Sequence, residues 1–167
     1  MSERIWSDDP NESINKVYEW SQTDMRIVEL VQQFHSQQEA QQILTNTDFK
    51  KARKRVAQIS ERIRDKDVLE LGAGVGFAAI EMAEVARFVT AVESDPGWSW
   101  VFCQHLYRLK PKNLTWMFDR LYPAHPNIPS GYDVAVVFTR SGVEEMRELC
   151  SLYANEVIMF HQEYPDE

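Results

Sequence analysis

The sequence predicts an α/β protein with a doubly wound, mostly parallel five-stranded sheet in the order 3-2-1-4-5, preceded by a helical extension. Three observations predict this fold. Short apolar runs alternate with helical patterns from residue 48 onward. The first run, residues 67–71, leads directly into glycines at positions 72, 74 and 76. Residues 134–138 read Val-Ala-Val-Val-Phe, which is typical of a strand buried on both faces.

Length and composition indicate one soluble domain, with a helical N-terminal extension over 1–47 and a core over 48–167. The chain has 167 residues, of which 44% are apolar and 26% charged. Its apolar stretches are too short to span a bilayer, and its N-terminus has no signal pattern. Both cysteines, Cys103 and Cys150, lie in helical patterns, which argues against a disulfide framework. We therefore expect a cytoplasmic protein without a membrane segment.

The net charge of −8 is unevenly distributed along the chain. Residues 1–47 and 67–167 are acidic, whereas residues 48–66 carry eight bases and three acids. A nonspecific nucleic-acid binder is usually basic overall. An anionic partner would therefore have to use the basic helix over 50–64. Alternatively, the cations of this helix form a solvated face or pair with the acidic N-terminal segment.

The N-terminal segment predicts two helices before the basic one. Asn11 or Ser13 is a suitable cap for a helix that ends near residue 20, and Thr23 for a helix over about 24–44. The basic helix over 48–64 has apolar residues at alternating steps of three and four, which places them on one face against the sheet. They are Phe49, Ala52, Val56, Ile59 and Ile63.

The remaining elements follow the glycines in regular alternation. Asp95 is a predicted helix cap with Pro96 at the first helical position, and Ser141 is a second predicted cap. A proline-rich loop separates the third and fourth strands. The predicted helices cover about 75–86, 96–109 and 142–153, and the predicted strands cover 67–71, 88–93, 114–118, 133–138 and 157–160.

The glycine turn predicts a cofactor site, because backbone without Cβ atoms can approach a ligand closely. Its spacing differs from the Gly-x-Gly-x-x-Gly of nicotinamide and flavin sites, since Phe77 stands where the last glycine would be. Glu70, two residues before Gly72, is unsuited to a pyrophosphate but suits a cationic group such as an α-amino group. A nicotinamide-dependent enzyme is therefore disfavoured.

Glu70, Gly72, Gly74 and Gly76 form the pattern E-x-G-x-G-x-G, which resembles motif I of the class I S-adenosylmethionine-dependent methyltransferases. The resemblance covers about residues 48–160. It implies that Glu70 and the turn, Ala73 included, flank the amino-acid end of S-adenosylmethionine. It also implies two further strands after the fifth, which this sequence lacks. We expect the N-terminal helices, a second subunit or a partner protein to cover the edge of the fifth strand.

Four residues at or directly after the ends of the second and third strands complete the predicted cofactor site. Glu93 either accepts hydrogen bonds from ribose hydroxyls or is an exposed acid that closes a strand. The resemblance implies that Ser94 and Asp95 lie beside the adenine and that Asp119 meets its amino group. Asp119 is otherwise a surface acid in a turn. Phe118 either flanks the adenine ring or belongs to the core.

The exit of the fourth strand, Phe138-Thr139-Arg140-Ser141-Gly142, lacks the Asn-Pro-Pro-Tyr type of motif found in enzymes that methylate amino groups of bases. Arg140 either binds an anionic substrate or is solvated. His125 and His161 are candidate bases by position, although a lone histidine is more often a surface or core residue.

Two function classes remain. One is a methyltransferase whose acceptor, nucleic acid or small molecule, the sequence leaves open. The other is a non-catalytic S-adenosylmethionine-binding or methyltransferase-like partner subunit.

Overall fold

The computed structural model describes residues 49–119, 128–140 and 143–165. Its sheet has five strands in the order β3-β2-β1-β4-β5, and each neighbouring pair is parallel. This architecture confirms the predicted fold class and strand order. The predicted helical extension over 1–47 lies outside the described residues and stays a prediction.

The described residues form ten elements, which alternate between helix and strand except where β4 follows β3. The helices are α1 (Phe49–Ile63), α2 (Phe77–Ala83), α3 (Pro96–Leu109), α4 (Val143–Ser151) and α5 (Phe160–Glu163). The strands are β1 (Asp67–Leu71), β2 (Phe88–Glu93), β3 (Leu114–Phe118), β4 (Tyr132–Val137) and β5 (Ala154–Met159).

The predicted bounds of β1, β2, β3 and α3 are confirmed, and those of the other predicted elements shift by one to three residues. α2 begins at Phe77 instead of residue 75, because Gly76 has a φ of 85° and cannot belong to a right-handed helix. β5 begins at Ala154 instead of residue 157, because its polar first half pairs with β4 from Tyr132↔Ala154 onward. The short helix α5 was not predicted. Ser141, the predicted cap of α4, lies outside the described residues.

The two faces of the sheet are covered by different helices. Alternate residues of each strand point to opposite faces, so Val68 and Leu69 enter separate apolar clusters. The first cluster joins the sheet to α1, α2 and α3, and the second joins it to α4. The predicted apolar face of α1 is confirmed by burial, in its described part, at Ala52, Val56, Ile59 and Ile63.

α1 also ties the edge strand β5 to the helical layer. Arg62 Nε donates to Glu156 Oε1 of β5 at 2.7 Å, and Arg62 Nη1 donates to Glu163 of α5. Cover of this edge by a second subunit or a partner protein stays a prediction. Within the described ranges, no helix is both long enough and apolar enough to cross a membrane.

Candidate functional site

The glycine turn lies between β1 and α2 at the carboxyl edge of the sheet. Gly72, Gly74 and Gly76 have φ angles of 76°, 58° and 85°, a region that L side chains rarely adopt. The N–H groups of Gly72 and Ala73 both donate to the Val92 carbonyl at 3.0 Å. The turn is therefore fastened to the end of β2, where cofactors bind in sheets of this topology.

Gly74 and Gly76 serve the turn in different ways. A Cβ atom added at Gly74 would meet no heavy atom within 4 Å, so this position faces open space. A Cβ atom added at Gly76 would lie 1.9 Å from Cδ2 of Phe102. Gly76 is therefore needed for packing, whereas Gly74 leaves its surface open to a ligand.

Two buried side chains of α3 pack against the turn. Phe102 packs under Gly76, and His105 Nδ1 lies 2.9 Å from the carbonyl oxygen of Val75. A carbonyl oxygen can only accept, so His105 donates from Nδ1. The His105 ring also packs on Phe77, with centroids 4.9 Å apart. Neither residue was predicted to belong to the site, and the signal that could have found them is their three-residue spacing on one face of α3.

Glu70 is the buried carboxyl of this edge. Its exposure is 1%, and no donor among the described residues reaches its Oε2 atom. Burial raises the pKa of Glu70 well above its usual range, and the charge of nearby Glu93 raises it further. A buried carboxyl oxygen without a partner is costly, and a cationic ligand group would supply the missing hydrogen bond.

Glu93 is buried at the end of β2, with an exposure of 7%. The alternative of an exposed acid is therefore wrong. Its Oε2 accepts from the N–H of Gly74 at 2.7 Å, and its Oε1 accepts from the N–H groups of Ser94 and Asp95 at 2.9 and 2.8 Å. Glu93 therefore links the middle of the glycine turn to the start of α3. Its role toward ribose stays a prediction.

Ser94 and Asp95 lie at this junction, and their place beside the adenine stays a prediction. Ser94 is exposed, so its side chain is accessible from the edge of the sheet. Asp95 Oδ1 accepts from the N–H of Trp98 at 3.0 Å, and Pro96 is the first residue of α3. The predicted cap is confirmed, and it sets the direction in which α3 leaves the site.

Asp119 and Phe118 lie at the end of β3 beside Glu93. The N–H of Asp119 donates to the Glu93 carbonyl at 3.2 Å, and the Asp119 side chain is half-buried. Phe118 is 56% exposed, so the expectation that it belongs to the core is wrong. An exposed aromatic ring at this point is available to a ligand, and contact with adenine stays a prediction.

The exits of β4 and β5 bring together two residues that the sequence named separately. Arg140 follows β4 and His161 lies on α5, and both line one cleft. His125, the other candidate base, lies outside the described residues. Across the described part of the chain, no group of three histidine, cysteine or acidic residues is arranged to hold a metal ion.

Three arginines of the basic helix form ion pairs. Arg53 makes a bidentate contact with buried Glu81: its Nε donates to Glu81 Oε2 and its Nη2 to Glu81 Oε1, both at 3.2 Å. Arg62 bonds Glu156 and Glu163, and Arg64 bonds Glu61 at 2.9 Å. These pairs reduce the charge that α1 can offer to an anionic partner, and binding of such a partner there stays a prediction.

A larger cleft, of about 520 Å³, lies at the opposite edge, where the strands begin. Its charged lining residues are Asp67 and Arg87. Arg87 donates to both carboxylate oxygens of Asp67 at 2.8 Å, and this bidentate contact lowers the pKa of Asp67. Because ligands of doubly wound sheets bind beyond the carboxyl ends of the strands, this cleft is not the predicted cofactor site.

Known structures with the same fold include three at a TM-score of 0.53. Precorrin-6y C5,15-methyltransferase from Geobacter metallireducens is 16% identical, over 62% of this chain and 55% of its own. Precorrin 8w decarboxylase from Methanobacterium thermoautotrophicum is 21% identical, over 70% and 67%. TYW2 of M. jannaschii, solved in complex with AdoMet, is 14% identical, over 60% and 46%. The predicted Rossmann-like fold is thereby confirmed.

One curated protein has a local sequence match. A protein of Methanothermobacter thermautotrophicus named "Probable ribosomal RNA small subunit methyltransferase A" is 46% identical over 44 residues. The match covers 26% of this chain and 16% of that protein. No family model matches the sequence.

Proposed function

We propose that this chain binds S-adenosylmethionine at the glycine turn and acts as an S-adenosylmethionine-dependent methyltransferase. The observation that carries the proposal is Glu70, a buried carboxyl whose Oε2 atom has no partner among the described residues. It precedes a turn whose central glycine faces open space. A carboxyl in this setting suits the cationic amino-acid end of the cofactor better than it suits a pyrophosphate.

The residues around the turn fit the rest of the cofactor. Glu93 closes the turn at the end of β2, where a carboxylate can bind ribose hydroxyls. Asp119 and exposed Phe118 end the neighbouring strand, where an acceptor and an aromatic face would suit an adenine. When bound, S-adenosylmethionine supplies a methyl group activated by its sulfonium. The chain then needs chiefly to hold the acceptor in line with that group.

The acceptor is not determined by the comparisons. The names of the similar proteins refer to ribosomal RNA and to precorrins, and one of them is a decarboxylase. A shared fold hosts different reactions, so function has to be argued from the site. The chain spans 46% to 67% of the structures compared and 16% of the curated protein, so the substrates of those proteins do not carry over.

A non-catalytic S-adenosylmethionine-binding subunit is the second candidate. The plain exit of β4, Phe138-Thr139-Arg140, favours it, because it offers no recognised motif for methylating an amino group. Both candidates require the same cofactor site and differ only in whether a methyl group is transferred.

Calorimetry with the full chain tests the cofactor site. We expect S-adenosylmethionine and its demethylated product to bind and NAD to bind much more weakly. Replacement of Glu70 by Gln should weaken the sulfur cofactors about tenfold or more, because a charge-assisted hydrogen bond is lost. Failure of both sulfur cofactors to bind at millimolar concentration would contradict the proposal.

Transfer of a radiolabelled methyl group separates the two candidates. RNA, protein and small-molecule pools are each incubated with the parent chain and with the Glu70→Gln variant. The methyltransferase candidate is supported if the parent chain labels one of the pools and the Glu70→Gln variant labels that pool less. Tight cofactor binding without labelling of any pool favours the binding subunit.

A further inference from the structure

The glycine turn, residues 72–76, is held in place from two sides. β2 holds its first half, because the carbonyl of Val92 accepts from two N–H groups of the turn and Glu93 Oε2 accepts from the N–H of Gly74 at 2.7 Å. α3 holds its second half through His105, which is 3% exposed. Glu93 also belongs to the proposed cofactor site, whereas His105 is buried and can act on a ligand only through the turn.

The peptide group between Val75 and Gly76 is hydrogen-bonded at both ends. His105 Nδ1 donates to the Val75 carbonyl at 2.9 Å, and the N–H of Gly76 donates to the Ala73 carbonyl at 3.0 Å. The C=O and N–H of a trans peptide point in opposite directions, so two bonds on opposite sides fix its plane. One of these bonds lies within the turn, and the other ties the turn to α3.

Fixing this plane matters because Gly76 has a choice of conformation. Its φ is 85°, and glycine adopts positive and negative φ about equally readily. If the peptide plane turned over, the Val75 carbonyl would leave His105 and Gly76 would take a negative φ. The hydrogen bond from His105 therefore favours the conformation that the turn has in the structure.

Aromatic contacts hold the His105 ring itself in place. The ring packs on Phe77, the first residue of α2, with centroids 4.9 Å apart. Phe102, on the same face of α3, packs against Gly76. A donor whose ring is packed in this way loses little entropy when it bonds the turn, so its position defines that of the Val75 carbonyl.

We propose that His105 is a positioning residue of the cofactor site. Its Nδ1–H keeps the peptide between Val75 and Gly76 in the orientation in which the turn receives S-adenosylmethionine. A turn with three glycines is costly to order, and a turn that is ordered before the ligand arrives binds it more tightly. The identity of the ligand rests on the proposed function, whereas the hold of His105 on the turn does not.

A matched pair of variants separates the hydrogen bond from the packing of the ring. His105→Leu and His105→Asn both remove the ring and its contact with Phe77, and their side chains have nearly the same shape. Asn keeps an N–H donor as many bonds from the backbone as Nδ1, and Leu has none. In calorimetry with the full chain, we expect His105→Leu to weaken S-adenosylmethionine binding about fivefold or more. His105→Asn should bind measurably more tightly than His105→Leu.

Two measurements on the ligand-free chain report on the turn directly. The ¹⁵N signals of the His105 ring should show a proton on Nδ1. The amide proton of Gly76, which is bonded to the Ala73 carbonyl, should exchange with solvent about fivefold or more faster in His105→Leu than in the parent. In His105→Asn this exchange should stay closer to that of the parent.

Ile63→Val is the control for a general loss of stability. Ile63 is fully buried just before β1, at the opposite edge of the sheet, and the replacement removes one methyl group from the core. This variant should melt at a lower temperature than the parent and bind S-adenosylmethionine with unchanged affinity.

Several outcomes would overturn the proposal. One is a His105→Leu variant that binds the cofactor as tightly as the parent. Another is equal weakening by Leu and Asn, since the ring and not its donor would then matter. Equal weakening by Ile63→Val would show that affinity merely follows stability. A His105 ring that carries its proton only on Nε2 would exclude the hydrogen bond without any variant.

The ligand-free measurements keep this proposal apart from the proposed function. If the parent chain binds neither sulfur cofactor, the proposed function fails and the exchange of the Gly76 amide decides the role of His105. Faster exchange in His105→Leu alone would leave His105 as the residue that fixes the turn. Unchanged exchange would overturn that role as well. Cofactor binding that His105→Leu leaves unchanged would overturn the role of His105 alone.

Discussion

Glu70 and Glu93 are both buried at the carboxyl edge of the sheet, but their hydrogen bonds differ. Three backbone N–H groups donate to Glu93, whereas Oε2 of Glu70 receives no bond from any described residue. Glu93 therefore stabilises the turn in the absence of ligand. Glu70 costs stability unless a ligand pairs with it, which is common at functional sites.

Replacement of Glu70 by Gln should stabilise the cofactor-free protein at neutral pH. Because the pKa of Glu70 is raised in the folded protein, stability falls as pH rises from about 4.5, the ordinary value, toward the raised one. Gln has no such titration. We expect a gain of about 0.5–2 kcal/mol at pH 7 that shrinks toward pH 4.5, measured as melting temperature against pH.

A matched control uses Glu81, a buried glutamate of α2 whose carboxylate is paired. Glu81 bonds Arg53 through both carboxylate oxygens. Its replacement by Gln should destabilise the protein by about 1–3 kcal/mol, because charged hydrogen bonds are lost. A Glu70 variant that melts lower than the parent at pH 7 would contradict the account of Glu70.

Substitutions at Gly74 and Gly76 should separate binding from folding. Gly76→Ala places a methyl group 1.9 Å from the Phe102 ring and strains a left-handed residue, so we expect a loss of about 2–5 kcal/mol in stability. Gly74→Val also strains a left-handed residue, but its side chain extends into open space, so it should block the cofactor with a smaller loss in stability. Urea denaturation and calorimetry measure the two effects. Unchanged cofactor affinity in Gly74→Val would count against the placement of the cofactor at the turn.

At the scale of elements, α1 packs on the sheet and also bonds its edge strand. Its apolar face packs on the first core cluster, and Arg62 reaches acids on β5 and α5. Hydrogen bonds that Arg62 donates to Glu163 and Glu156 raise the pKa of Arg62, which stays charged at every pH of interest. These bonds link the edge strand β5 to α1.

Replacement of Arg62 by Gln should therefore lower the free energy of unfolding by about 1 kcal/mol, because partly exposed pairs in a network contribute modestly. Replacement of Arg64 by Gln breaks a single exposed pair on the same helix and should change it by less than about 0.5 kcal/mol. Urea midpoints of both variants provide the measurement. Equal midpoints would show that the Arg62 network does not stabilise the edge.

At the scale of the whole molecule, the two edges of the sheet differ. The glycine turn, Glu70, Glu93 and the smaller cleft of Arg140 and His161 lie at the carboxyl edge, whereas the larger cleft at the opposite edge has charged residues that pair with one another. Parallel strands produce this division, because all of them end at the same edge. A cofactor and an acceptor can therefore meet there without any change of fold.

Ligand binding should stabilise the molecule as a whole. The demethylated cofactor at about 100 times its Kd should add about 2.7 kcal/mol, which corresponds to about 5–11 °C in melting temperature at this chain length. NAD at the same concentration should produce little shift, and Glu70→Gln should reduce the shift from the sulfur cofactor. An equal shift with NAD would point to a dinucleotide site.

The sequence by itself determined the order of strands and helices, the glycine turn and the position of Glu70 within it. These features depend on local properties, namely apolar periodicity, capping residues and the backbone freedom of glycine. The polar first half of β5 escaped prediction because strand pairing with β4, rather than apolar alternation, forms it.

Only the tertiary structure decided which distant side chains meet. Arg62 and Glu156 are 94 residues apart, and His105 and the Val75 carbonyl are 30 apart. The burial of Glu93 against the Gly74 amide and the shared cleft of Arg140 and His161 arise in the same way. Such contacts depend on strand register and on the packing of helices against the sheet, which local patterns along the chain do not encode.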